Sequence, residues 1–189
     1  MAHTIAINGM GRIGRAALKI IEETPELELV ALNDLLPVEN LAYLLKYDSV
    51  YGRYEKEVKT GKDSLILDGK EYPMFNEKDP AQLPWKELEV DIVFECTGVF
   101  RKKDGMEKHL EAGAKRVILS APEKTGDVEM VVHGVNKPKG TPQLISCASC
   151  TTNCISPVVE IIGRRIGIKK AIMTTIHAYT SSQAITDGP

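Results

Sequence analysis

Cys150 stands in the run Ser149-Cys150-Thr151-Thr152-Asn153-Cys154. Before it lies an apolar strand-like stretch, Gln143 to Ser146, and after it a helical pattern carrying Ile155, Val158, Val159, Ile161 and Ile162. Ser149 is a natural N-cap, which puts Cys150 in the first helical turn. Free N–H groups and the helix dipole favour an anion there, and the thiolate is the reactive form of cysteine. His177 comes 27 residues later, at the end of a second strand-like stretch, Ala171 to Ile176. A thiol at a helix start with an imidazole from a separate strand makes a nucleophile–base pair. The same residues also admit a plainer reading, a capping serine beside a buried cysteine and a core histidine.

A second group of residues points to phosphate chemistry. Thr4 to Asn8 reads as a short buried strand that runs into Gly9-Met10-Gly11-Arg12-Ile13-Gly14 and then a helical pattern through Ala16, Ala17, Leu18, Ile20 and Ile21. The next strand-like run, Leu29 to Leu32, ends in Asn33-Asp34, and Asp34 lies 20 residues after Gly14. A Gly-x-Gly-x-x-Gly between strand and helix, with an acid closing the next strand, is a dinucleotide fingerprint. The glycines allow a tight turn and close approach to pyrophosphate, and the helix N-terminus supplies N–H donors. Asp34 is placed to accept hydrogen bonds from the adenosine ribose hydroxyls and to repel a 2′-phosphate, which favours NAD over NADP.

The elements that position these groups alternate between strand and helix. Val38 to Leu45 reads as a helix. Glu55 to Lys59, Ser64 to Leu67 and Glu71 to Phe75 read as short antiparallel strands, with Asp68-Gly69 as a hairpin turn. Val90 to Glu95 is a buried strand ending at Cys96-Thr97-Gly98. Ligands of open α/β sheets sit beyond the carboxyl ends of strands, so Thr97 and Gly98 are expected to line a crevice. Gly105 to Ala112 reads as a helix capped by Gly113; Arg116 to Leu119 (ending at Ser120) and Met130 to His133 read as strands. The pattern predicts an α/β fold with a doubly wound, mostly parallel sheet over residues 1–148. Residues 149–189 supply one helix and one strand, the start of an α+β catalytic domain.

Composition narrows the field. With 26 acidic and 24 basic residues the net charge is -2, which offers no electrostatic footprint for nucleic acid. No apolar run approaches a membrane span. Gly9 arrives too early to leave room for a signal peptide's apolar core, so a cytoplasmic location is expected. Four cysteines then read as free thiols rather than a disulfide framework.

Four motifs, in order and at matching spacing, resemble the glyceraldehyde-3-phosphate dehydrogenase family: Asn8 to Arg15, Lys46-Tyr47-Asp48-Ser49-Val50, Ala148 to Cys154, and His177-Ala178-Tyr179-Thr180. The resemblance implies a phosphorylating, NAD-dependent aldehyde dehydrogenase of glycolysis, a homotetramer when full length. Its substrates would be glyceraldehyde 3-phosphate and inorganic phosphate. Cys150 would be the nucleophile and His177 its base. Gly9, Gly11, Arg12, Ile13, Gly14, Asp34, Lys78, Thr97, Gly98 and Ser120 would bind NAD. Ser149, Cys150, Thr151 and Thr180 would meet substrate, and no metal is implied. The sequence leaves the family pattern at Lys78, where many members have arginine, and at Cys147, where they have asparagine. Cys147 is either a resolving thiol for Cys150 or a small residue filling the asparagine's space. Gly188-Pro189 is similar to the family's NAD-type loop. Three alternatives stay open: erythrose-4-phosphate dehydrogenase, an NAD-binding module without turnover, and a metal or redox site built on Cys147, Cys150 and Cys154.

Overall fold

The structure, a computed structural model, describes residues 2–179. Strand β1 (His3–Asn8) leads through helix α1 (Arg12–Ile21) to β2 (Leu27–Asn33), and the two strands pair in parallel. After α2 (Val38–Lys46) a small two-stranded hairpin, β3 (Tyr47–Asp48) with β4 (Gly52–Arg53), stands apart from the main sheet. Then come β5 (Val58–Thr60), β6 (Ser64–Leu67) and β7 (Lys70–Phe75). Asp68 and Gly69 turn β6 into β7 with φ of 48° and 84°, the doubly positive backbone that an Asp-Gly pair favours. A 3-10 turn (Pro80–Gln82) precedes β8 (Ile92–Glu95), and α3 (Lys103–Glu111) crosses over to β9 (Arg116–Leu119). Short strands β10 (Glu129–Met130) and β11 (Leu144–Ser146) precede α4 (Cys150–Arg165).

Nine strands form one sheet in the order β10-β11-β9-β8-β1-β2-β7-β6-β5. It is parallel from β10 to β7 and antiparallel from β7 to β5. Side-chain alternation divides the core between the two faces. Ile5 and Ile7 pack with Leu18 and Ile21 of α1 and Leu41 and Leu45 of α2. Ala6 packs on the other face with Trp85, Val93 and Ala112. An extra residue in β2 shifts its register between Ile5 and Ala6, so Leu29 and Leu32 both join the first cluster while Ala31 joins the second. The doubly wound, mostly parallel sheet read from the sequence is the fold observed.

Three local expectations are corrected. The strand placed at residues 55–59 lies at Val58–Thr60, where it pairs with β6. The strand placed at Met130 to His133 is only Glu129–Met130, because Asn136 takes over the hydrogen bonding: its side chain accepts from the Val132 N–H and donates to the Met130 carbonyl. Ala171 to Ile176 forms no strand. Its apolar side chains, Ile172 and Ile176, are 99% exposed, and a β-branched run without a partner strand does not hold a ladder by itself.

Two glycines of the turn after β1 do different work. A Cβ on Gly14 would lie 2.0 Å from the Gly9 carbonyl oxygen, so the helix can seat on the strand end only without one. A Cβ on Gly11 would meet nothing within 4 Å. Gly14→Ala is therefore expected to destabilise the fold by at least about 3 kcal/mol. Gly11→Ala stays within about 1 kcal/mol and, if the open space beside Gly11 takes a pyrophosphate as the fingerprint implies, loses NAD affinity. Thermal unfolding and NAD titration of both variants check the contrast.

Candidate active site and cofactor crevice

Where β1 ends between β2 and β8, the strand order reverses direction, and a crevice of about 330 Å³ opens beyond the carboxyl ends. Of the residues named from the sequence, Gly9, Gly11, Asp34, Lys78 and Thr97 line it. Gly9 has φ 95°, and a Cβ there would lie 2.6 Å from the Thr97 nitrogen. This close approach brings the Gly-rich turn and the end of β8 to the same wall. Arg12 and Ile13 form the first turn of α1, with Ile13 exposed, and Gly14 faces inward beneath the turn. Gly98 has φ 73° at the exposed tip of the next turn. Ser120, at the end of β9, donates its N–H to the Glu95 carbonyl. Ser120 and Gly98 are not among the crevice's lining residues.

The Asp34 side chain is fixed from both sides. One carboxylate oxygen accepts from the Met10 N–H at 2.6 Å and the other from the Leu36 N–H at 2.9 Å. Each oxygen keeps a further lone pair for a ribose hydroxyl. The residues thus fit a dinucleotide: open space beside Gly11, a fixed carboxylate at Asp34 and a helix N-terminus at Arg12. The sequence reading missed Asn8, Asn33 and Glu77, which line the same crevice. The available signal was their position, since Asn8 and Asn33 end neighbouring strands directly before Gly9 and Asp34.

The thiol site is built separately, and neither Cys150 nor His177 lines the crevice. Ser149 caps α4: its hydroxyl accepts from the Thr152 N–H at 3.0 Å and shares a 2.8 Å hydrogen bond with the Thr152 hydroxyl. Before it, Ala148 adopts φ 60°, and the Asn153 side chain donates to the Cys147 and Ser149 carbonyls. Cys150 is thereby presented at the first position of the helix, exposed. Its Sγ lies 3.0 Å from His177 Nε2, and His177 Nδ1 lies 2.6 Å from the Ala178 carbonyl oxygen. A carbonyl can only accept, so Nδ1 carries the proton and Nε2 faces the thiol with a free lone pair.

Electrostatics separate the thiols. His177 above all, and the Thr151 N–H and hydroxyl after it, hold the Cys150 thiol below the ordinary range. Contact with Cys150 and with the Ala178 carbonyl raises His177 in turn. Burial pushes Cys96 up to about 11 and also raises Cys147. All four cysteines are free thiols. Among the described residues, no three His, Cys, Asp or Glu side chains converge as a metal site. No helix among them is long and apolar enough to cross a membrane. Thr180 and the Gly188-Pro189 loop lie outside the described residues.

The chain is similar to known proteins along its whole length. A family model described as glyceraldehyde 3-phosphate dehydrogenase, NAD binding domain, matches residues 3–103, and one described as the C-terminal domain of that enzyme matches residues 149–189. Glyceraldehyde-3-phosphate dehydrogenase of Clostridium pasteurianum is 50% identical over 187 residues, covering 98% of this chain and 56% of the relative. That of Thermotoga maritima is 49% identical over 189 residues, with the same coverage. Glyceraldehyde-3-phosphate dehydrogenase 2 of Bacillus subtilis is 48% identical over 188 residues, 98% of this chain and 55% of the relative. The chain spans about half the length of the curated relatives it matches.

The lowered thiol and raised imidazole set the sign of a pH experiment. Alkylation of Cys150 rises with pH as thiolate forms, with a midpoint below that of a free cysteine. In His177→Asn that midpoint moves up toward the ordinary range, and the rate at neutral pH drops by no more than about tenfold. Iodoacetamide kinetics from pH 5 to 10 check it; an unmoved midpoint contradicts the pairing.

Proposed function

The chain belongs to the glyceraldehyde-3-phosphate dehydrogenase family, and from that premise we propose that its complete subunit oxidises glyceraldehyde 3-phosphate with inorganic phosphate to 1,3-bisphosphoglycerate. The observation that carries the reading is the 3.0 Å contact between Cys150 Sγ and His177 Nε2 at the start of α4. NAD, when bound, supplies the hydride acceptor. The family's NAD-binding domain is present over residues 3–103, and Gly9, Gly11, Arg12, Ile13, Gly14, Asp34, Lys78, Thr97, Gly98 and Ser120 are the residues assigned to hold it.

Cys150 thiolate adds to the aldehyde carbon, the His177 imidazolium passes the former thiol proton to the new alkoxide, and the hydroxyl so formed returns it to His177 Nε2 as that carbon is oxidised. The acyl group stays on Cys150 as a thioester until inorganic phosphate attacks it and the thiolate leaves. Ser149, Thr151 and Thr180 are assigned to the phosphate oxygens of substrate and of the incoming phosphate. Thiol activation is worth about tenfold near neutral pH, because a free thiol is already partly ionised. General base assistance is worth ~10²–10⁴. His177 therefore contributes more at the hydroxyl proton than at the thiol.

The domain division 1–148 and 149–189, the homotetramer, the cytoplasmic location and the place in glycolysis belong to this proposal and rest on the family. Erythrose 4-phosphate is the competing substrate, and side-by-side turnover with both sugar phosphates separates them.

Two variants of the complete subunit test the assignments. Cys150→Ser is expected to lose turnover while NAD affinity stays within about twofold; turnover like the parent's contradicts the nucleophile. Asp34→Ala is expected to lower the NAD-to-NADP affinity ratio by on the order of tenfold or more; an unchanged ratio removes Asp34 from cofactor choice.

A further inference from the structure

Beneath the crevice lies a chain of buried polar side chains that the proposed chemistry does not use. Trp85 and His109 are fully buried, as is Glu95; Asn8 and Asn33 are 1% and 3% exposed. Trp85 Nε1 donates to His109 Nδ1 at 3.0 Å, and His109 Nε2 lies 3.0 Å from Glu95 Oε2. Asn8 Nδ2 donates to the same Oε2 at 2.6 Å, and Asn33 Nδ2 donates to Asn8 Oδ1 at 2.7 Å. Asn33 is in turn fixed by the Glu77 backbone, accepting from its N–H and donating to its carbonyl, each at 2.9 Å. Glu95 Oε1 accepts from the Thr97 N–H at 2.8 Å and from the Thr97 hydroxyl.

The direction of every bond follows from the two ends. Indole N–H only donates, so His109 Nδ1 must accept, and the ring proton sits on Nε2, pointing at Glu95. At the other end, the Glu77 N–H and carbonyl permit one orientation of the Asn33 amide. That orientation fixes the Asn8 amide with its NH2 toward Glu95. Donors therefore converge on Glu95 from both sides, and Thr97 adds two more. Glu95 Oε2 therefore acts as an acceptor only, the role a carboxyl oxygen fills and an NH2 cannot. An amide NH2 in the place of that oxygen would set hydrogen against hydrogen in a fully buried site, and an unmet buried polar group is costly. Since His109 Nδ1 is occupied as an acceptor, the ring is neutral. Four hydrogen bonds hold the Glu95 carboxyl, one each from Asn8 and His109 and two with Thr97.

The groups held this way are the crevice walls. Asn8, Asn33, Glu77 and Thr97 all line the crevice, on four different segments of the chain, while Glu95, His109 and Trp85 do not. We propose that Glu95 is a positioning residue for the cofactor: its buried carboxylate is where two hydrogen-bond chains end, and it holds the four crevice-lining segments in their binding geometry. This rests on the crevice being the NAD site.

Two measurements test it. In unmodified protein labelled with ¹⁵N at histidine, two-bond ¹⁵N–¹H correlation spectra are expected to show His109 as the neutral Nε2–H tautomer, with and without NAD. The Nδ1–H tautomer or a doubly protonated ring overturns the convergence on Glu95, and this holds even if no variant folds. The second measurement is NAD affinity by titration calorimetry. Glu95→Gln, which presents NH2 to Asn8 and His109, is expected to raise Kd by on the order of tenfold. Adding Asn8→Asp restores an acceptor opposite that NH2 and still accepts from Asn33, so N8D/E95Q is expected to recover several-fold. A role confined to general stability predicts no recovery from a second buried polar change. Unchanged affinity in E95Q, or N8D/E95Q no better than E95Q, overturns the proposal. Parent protein that does not bind NAD overturns the cofactor reading, and the tautomer still decides the network.

Discussion

The structure turns on one close approach, where β1 ends. A Cβ at Gly9 would lie 2.6 Å from the Thr97 nitrogen, and a Cβ at Gly14 would lie 2.0 Å from the Gly9 carbonyl oxygen. Strand β1, the first turn of α1 and the turn after β8 therefore meet at van der Waals distance only because two positions lack side chains. The Gly-rich turn and the turn at Thr97 take their places on the crevice wall from that junction. With β2 on one side of β1 and β8 on the other, Asp34 and Thr97 face the same opening. A sheet whose order reverses at β1 leaves a ligand space at that point of its carboxyl edge.

The chain carries two kinds of polar site, and burial separates them. Under the crevice, Glu95 is fully enclosed and every hydrogen bond has a fixed direction. Geometry there is held rigid, which suits a binding wall. At the head of α4, Cys150 and His177 are exposed, and their contact shifts both groups toward the charged pair. A thiol and an imidazole at 3.0 Å are placed to share a proton, which suits chemistry. Helix α4 buries no residue, and Val158, Val159, Ile161 and Ile162 are exposed along it. Among the described residues the crevice is walled by buried segments, while the thiol stands on an exposed helix.

Much of this was legible in the sequence because its signals are local. Gly9 to Gly14 between strand and helix, Asp34 at the end of β2, Asp68-Gly69 and the Ser149 cap each depend on neighbours a few residues away. The Cys150–His177 pair was legible through residue type and through resemblance to the family, not through distance along the chain. What escaped depends on the order of the strands. Asn8 and Glu95 are 87 residues apart, and His109 reads in sequence as an ordinary residue of a short helix. Only the parallel pairing of β1 with β8 brings them together. The one available hint was Glu95 itself, a carboxylate closing an apolar buried strand. The expected strand at residues 171–176 failed for the opposite reason: its local pattern is strong, but a strand is made by its partner.

In the proposed chemistry the carbon bonded to Cys150 stands as a thioester after oxidation and before phosphate arrives. Rapid mixing of the complete subunit with glyceraldehyde 3-phosphate and NAD, without phosphate, tests it directly. The account predicts a burst of one NADH per subunit that then stalls, with the acyl mass on the peptide holding Cys150. Added phosphate or arsenate should restart turnover. No burst without phosphate, or an acyl group on Cys147 or Cys154 instead, would contradict it.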